Sequence, residues 1–126
     1  MKVLTDTHTL VWALSKPREL GAAAFAAVTD MSFTARVVNL WELVLKARKP
    51  GALEADPIPW WDKCVVGHGL PTLVINPAHI KVLASLPDLH KNPFDRMLVA
   101  QALAEGLTLA TKDAALARYG VPTIWH

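Results

Sequence analysis

The chain has 126 residues, with thirteen Lys and Arg against eleven Asp and Glu. That length suits one hydrophobic core and is too short for two of ordinary size, so a single domain over residues 1–126 is expected, and a formal charge of +2 is too weak to hold nucleic acid by net charge alone. Hydrophobic residues make up 52% and charged ones 19%, with mean hydropathy +0.27, which leaves apolar surface to be buried against another chain.

In chain order, "KVLT" reads as a short strand ending at Asp6, and "LVWALS" follows at once with helix-compatible spacing. Residues 18–29, "RELGAAAFAAVT", are dense in helix-favouring Ala, and "TDMS" after them supplies turn residues. A second strand is expected at "SFTA". From Val37 to Lys49, Val37, Leu40, Trp41, Val44 and Leu45 recur at i, i+3, i+4, i+7 and i+8. This predicts an amphipathic helix with that stripe facing the core, stopped by "KPG". Pro57 and Pro59 delay the next, short helix until Trp60 or so, and Gly67 and Gly69 end it. "PTLVIN" is then a strand, and "PAHIKVLASL" a helix with Pro77 in its first turn. In "NPFDRMLVAQALAEG", Asn92 is the N-cap, Pro93 stands at N1, Asp95 at N3, and Gly106 is the terminator. "LTLAT" is a strand beside Asp113, "DAALARYG" a short helix and "PTIW" a last strand. Strands alternating with helices at this spacing predict an α/β fold with a mainly parallel sheet.

Compartment and chemistry follow from what the segments carry. The single Cys64 cannot form an internal disulfide, Asp6 and His8 interrupt the apolar start before a signal-peptide core can form, and no run reaches the roughly 18 apolar residues of a membrane span. A reduced cytoplasm is the expected setting. His8, His68, His79, His90 and His126 show neither i, i+4 pairing nor Cys partners at zinc spacing, so a structural zinc is not expected. Trp12, Trp41 and Trp125 sit in apolar patterns and read as core, whereas Trp60 and Trp61, beside two prolines, read as the exposed pair.

Sites in open parallel sheets form at the carboxyl ends of strands. Asp6 and Asp113 lie just beyond two predicted strand ends, while Glu42 and Asp95 lie on helices able to face the same edge. Asp30, Asp56, Asp62 and Asp88 read as solvated surface. Each candidate also has a purely structural role open to it. Asp6 and Asp113 can cap helices, Asp95 can favour a helix N-terminus, and Glu42 can pair with Lys46 at i+4. If all four converge, their repulsion calls for a cation, and oxygen ligands alone suit Mg²⁺ or Mn²⁺ better than zinc or copper.

Five segments in this order, "VLTDTHTLVWAL", "NLWELVLKARKPG", "HKNPFDRMLVAQALAEG", "LATKD" and "YGVPTIW", resemble a PIN-domain protein of the VapC toxin type over essentially the whole chain. The resemblance implies a three-layer α/β/α sandwich and a Mg²⁺- or Mn²⁺-dependent ribonuclease that blocks translation by cutting RNA. It also implies neutralisation by a cognate antitoxin and homodimerisation. By motif, the family carboxylates fall on Asp6 of "DTH", Glu42 of "LWE", Asp95 of "PFDR" and Asp113 of "TKD", with Asn39, Asn92 and Thr111 as supporting polar residues. Two positions depart from the pattern: Asn92 stands where Asp is common, and Asn39 where Ser is common. Asn39 is expected to reach the Glu42 carboxylate or a water beside it. Arg36, Lys46, Arg48, Lys49, Lys91, Arg96 and Lys112 are the candidates for flanking RNA phosphates, "KARK" at 46 to 49 foremost. A catalytically impaired PIN-fold binding protein is one alternative. A receiver-like signalling domain is another, against which Thr5 and Thr7 count, since they deny Asp6 the adjacent acid such a site needs.

Overall fold

A computed structural model describes residues 3–29, 33–48 and 56–126; Asp30, Lys49 and the "KPG" stop signal lie outside them. Five strands, β1 (Val3–Thr5), β2 (Phe33–Arg36), β3 (Thr72–Leu73), β4 (Thr108–Ala110) and β5 (Thr123–Ile124), pair in parallel in the order β3-β2-β1-β4-β5. The strands are short and apolar because both faces of the sheet are covered. In β1, Val3 joins the core cluster of one face with Phe33, Leu10 and Ala24, while Leu4 joins that of the other with Leu98, Leu109 and Leu116.

The covering helices are α1 (Thr7–Ser15), α2 (Ala22–Thr29) and α4 (Pro57–Trp61) on the first face, and α5 (Pro77–Ser85) and α6 (Pro93–Glu105) on the second. A further helix, α3 (Val37–Lys46), follows β2 directly and packs Val38 against Met97 and Ala100 of α6. The result is a three-layer α/β/α sandwich. β1 is central, and the chain runs outward from it to β2 and β3 before returning to place β4 on its other side. The strand order therefore reverses between β1 and β4, the place where open parallel sheets build their sites. Among the described residues, no helix is long and apolar enough to cross a membrane.

Three local expectations are corrected. First, α4 begins at Pro57, not near Trp60: Asp56 caps it by accepting from the Ile58 N–H at 3.1 Å, and both prolines fall in the first turn, where no N–H has an intrahelical acceptor to lose. Second, the Ala-rich stretch is broken. A 3₁₀ turn at Pro17–Glu19 precedes Gly21, where a Cβ would stand 2.1 Å from the Trp125 carbonyl oxygen. That close approach lets the Ala24 N–H donate to the same carbonyl at 3.1 Å, tying α2 to the last strand. Third, α3 is turned over. Val38, Asn39 and Leu43 are buried; of the expected stripe Leu40 still packs against the core, whereas Val37, Trp41, Val44 and Leu45 lie on the outside, with Trp41 54% exposed. Trp61 is buried instead. Periodicity locates an apolar face; it does not say whether that face meets the core or solvent.

Candidate active site

Asp6 leaves β1 at the strand-order reversal. Its Oδ1 accepts the Thr9 N–H at 2.8 Å, capping α1, and its Oδ2 accepts the Thr111 hydroxyl at 2.6 Å. Thr111 lies just beyond β4 and its Oγ also receives the Asp113 N–H at 3.1 Å, so one threonine ties the two strand ends together. Asp113 caps the 3₁₀ helix Ala114–Tyr119 through the Ala115 N–H at 3.0 Å. The capping role and a site role thus coexist in Asp6 and in Asp113, each of which keeps oxygen lone pairs free after the cap is made.

Glu42 faces inward because α3 is turned over. Its Oε1 accepts the Thr7 hydroxyl at 2.5 Å, and its Oε2 pairs with Lys46 at 2.9 Å. Asn39, fully buried, acts one step further back than expected: its Nδ2 donates to the Thr7 Oγ at 3.1 Å while its Oδ1 accepts the Arg36 N–H at 2.8 Å. Thr7, which sequence reasoning passed over, is the link between Asn39 and Glu42. Its position beside the strand-end Asp6 was the available signal.

Asp95 stands in the first turn of α6, whose cap is Asn92 accepting the Phe94 N–H at 2.9 Å. Burial pushes the Asp95 carboxyl above its ordinary range; nearby His90 opposes this, while Glu42, Asp113 and Asp6 push the same way as burial. Asp95 is therefore the carboxyl on which the other three acids act across the carboxyl edge of the sheet.

His90 is the second residue that sequence reasoning missed. Its Nε2 lies 3.5 Å from Asp95 Oδ2 and 3.6 Å from Asp113 Oδ2, and the donor atoms of the three residues all lie within 4.8 Å of one another, a spacing that could hold an ion. Its Nδ1 accepts the Asn92 N–H at 3.1 Å, which assigns the ring proton to Nε2, directed at the two carboxylates. Zinc spacing gives no signal for His90, which reaches this site from the loop five residues ahead of Asp95.

The basic candidates divide. Arg36 is buried at the end of β2 and meets no solvent. Arg96 donates to the Pro87 carbonyl at 2.8 Å and reaches Tyr119 at 3.4 Å, so it braces the loop before α6. Lys46 is tied to Glu42. Arg48, Lys91 and Lys112 are exposed, and Lys49 lies outside the described residues.

Asp6 and Asp113 thus stand at neighbouring strand ends where strand order reverses, and His90 and Asp95 meet Asp113 there. The chain belongs to the PIN-domain family, whose model matches residues 3–122. Over 128 aligned residues it is 30% identical to Ribonuclease VapC22 of Mycobacterium tuberculosis (strain ATCC 25618 / H37Rv), covering 98% of both chains. Its fold is similar to that of VapBC2 from Rickettsia felis, solved with a promoter DNA fragment, at TM-score 0.69, 14% identity and full coverage of both chains. FitAcB from Neisseria gonorrhoeae matches at TM-score 0.67 and 17% identity over 97% of this chain and 96% of the other. FitAB bound to the IR36 DNA fragment matches at TM-score 0.68 and 15% identity over 97% and 93%.

Proposed function

We propose that this chain is a Mg²⁺- or Mn²⁺-dependent endoribonuclease, the toxin of a toxin–antitoxin pair, which hydrolyses RNA phosphodiester bonds and thereby stops translation. The observation that carries the reading is the placing of Asp6 and Asp113 just beyond neighbouring strand ends, tied through Thr111, with Asp95 within 4.8 Å of Asp113, supported by the similarity to a ribonuclease over 98% of the chain. The donor set fits a hard divalent cation: four carboxylates with a single imidazole nearby, one of the carboxyls pushed toward protonation by burial and by the others. Asp6, Glu42 and Asp95 would hold the ion, with Asp113 contributing directly or through water. Bound there, the ion would supply Lewis acidity toward a phosphate oxygen and a water.

The chain's own residues do the positioning. Thr9 and Thr111 fix both oxygens of Asp6, Thr7 and Lys46 fix those of Glu42, and Asn92 starts the helix that presents Asp95. Exposed Arg48, Lys91 and Lys112 hold flanking phosphates of unpaired RNA. The outward stripe of α3 is apolar beside this edge, and structural relatives occur in complexes named for two components, which supports a cognate antitoxin and a second copy of the chain as partners. Asn92 makes its hydrogen bond to the helix start, and the loss of a carboxylate at that position leaves the other four in place. Purified protein on structured RNA with Mn²⁺, with EDTA, and as Asp6→Asn tests the reading. Metal-dependent cleavage lost in the variant is expected; cleavage that persists in Asp6→Asn refutes it.

A further inference from the structure

Four of the five tryptophans are used by the fold: Trp61 is buried, and Trp12, Trp60 and Trp125 pack against the core of the first face. Trp41 is different. It is 54% exposed, belongs to no core cluster of the described residues, and meets the half-buried Phe94 with ring centroids 4.9 Å apart at an interplanar angle of 73°. An edge contact of this kind fixes an aromatic side chain without covering it.

The place of the pair decides what can cover it. Trp41 immediately precedes Glu42 on α3, and Phe94 immediately precedes Asp95 in the first turn of α6. The two helices meet along one seam, Val38 against Met97 and Ala100 and, a turn further on, Trp41 against Phe94. The aromatic pair therefore closes the seam at the helix start that presents Asp95. Phe94 is itself held there, its N–H given to the Asn92 carboxamide at 2.9 Å. Unpaired bases stack on aromatic planes whatever their identity, and a strand with a phosphate at the acids carries its neighbouring bases within reach of residues beside them. The other exposed members of the α3 stripe, Val37, Val44 and Leu45, are aliphatic and offer no such plane.

We infer that Trp41, braced by Phe94, is a stacking platform for an unpaired base next to the scissile phosphate, so that the strand is gripped by a base as well as by its phosphates. The inference rests on the ribonuclease reading proposed above and names a residue that selects single-stranded substrate.

The test is equilibrium binding of two short single strands to the full chain, by fluorescence anisotropy in EDTA so that nothing is cut. One strand is an oligoadenylate; the other is a ribose-phosphate strand of the same length without bases. Wild type is expected to bind the oligoadenylate roughly tenfold more tightly, the scale of stacking one base on an aromatic ring. Trp41→Leu keeps apolar bulk but no aromatic plane, so it should lose about that tenfold on the oligoadenylate and stay within about twofold on the base-free strand. Trp41→Phe should stay within about threefold of wild type on both. A second readout keeps the indole in place. In protein labelled with 5-fluorotryptophan, the Trp41 resonance, identified by its absence from Trp41→Phe, should shift with the oligoadenylate and not with the base-free strand. If Trp41→Leu does not fold, that shift decides. Equal weakening of Trp41→Leu on both strands, as an apolar contact with a second copy or a protein partner would give, overturns the inference. So does unchanged binding, or a Trp41 resonance indifferent to the bases. A wild-type chain that binds neither strand sinks the ribonuclease reading itself; wild-type binding of both strands with equal affinity sinks this inference alone.

Discussion

The four acids fall into two unlike pairs. Asp6 and Glu42 are clamped, each oxygen engaged by a threonine hydroxyl, a backbone N–H or Lys46. On the other side of the edge, Asp95 and Asp113 look at one histidine proton from 3.5 and 3.6 Å, and Asp95 is pushed toward protonation by burial. One half is pre-organised by the fold. In the other, Asp113 gives one oxygen to the Ala115 N–H while Asp95 is the carboxylate that burial disfavours, so the cost of the site is concentrated in Asp95.

The largest effect expected from breaking this comparison comes on the clamped side. Asp6→Asn keeps an N-cap for α1, so the fold should survive, while the loss of a charged ligand should cost roughly a thousandfold in RNA cleavage, the several kcal/mol that a cation site contributes. Thr7→Val comes next. It strips Glu42 of one donor and leaves the buried Asn39 amide unpaired, and chemical denaturation should show a loss of about 1–3 kcal/mol.

Asp95→Asn sharpens the contrast in the opposite direction, for it should abolish cleavage and yet raise the metal-free melting temperature. The sign follows from linkage. The folded-state carboxyl titrates above its unfolded value of 3.8, so its contribution to stability is full below that value and is lost as pH rises through the folded pKa. Metal-free wild type should therefore gain stability from this group as pH falls through the folded pKa toward 3.8, and Asp95→Asn should lose that gain. A variant that melts lower than wild type at neutral pH, or one with the same pH slope, contradicts the picture. The smallest effect belongs to Lys46→Ala, whose lysine is 56% exposed; under about 1 kcal/mol of stability should be lost in a denaturant titration.

Much of this centre was legible in the chain. Asp6 and Asp113 were found because carboxylates just past parallel strands stand at the sheet's carboxyl edge, and "NPFDR" announced its helix start through ordinary capping chemistry. What could not be read was orientation. Of the repeat Val37, Leu40, Trp41, Val44 and Leu45 only Leu40 meets the core; the buried face of α3 is Val38, Asn39 and Leu43, and Asn39 and Glu42 are satisfied by Thr7 and Lys46. Thr7 and His90 escape a sequence reading for a related reason: their roles depend on partners 32 and 35 residues away, or on a bend that aims a ring, and neither leaves a local pattern. The helix at Pro57 failed differently: proline was read as a breaker where its position in the first turn made it a starter.

The central claim is that these two unlike pairs form one cation site. A crystal of the protein grown with Mn²⁺, with data collected for anomalous scattering from manganese, tests it most directly. The account predicts an anomalous peak within ligand distance of Asp6 and Asp95 at the carboxyl edge, with His90 displaced from between Asp95 and Asp113. A peak elsewhere, or fully loaded crystals in which His90 still bridges the two carboxylates and Asp6 stays bound only to Thr9 and Thr111, would contradict it.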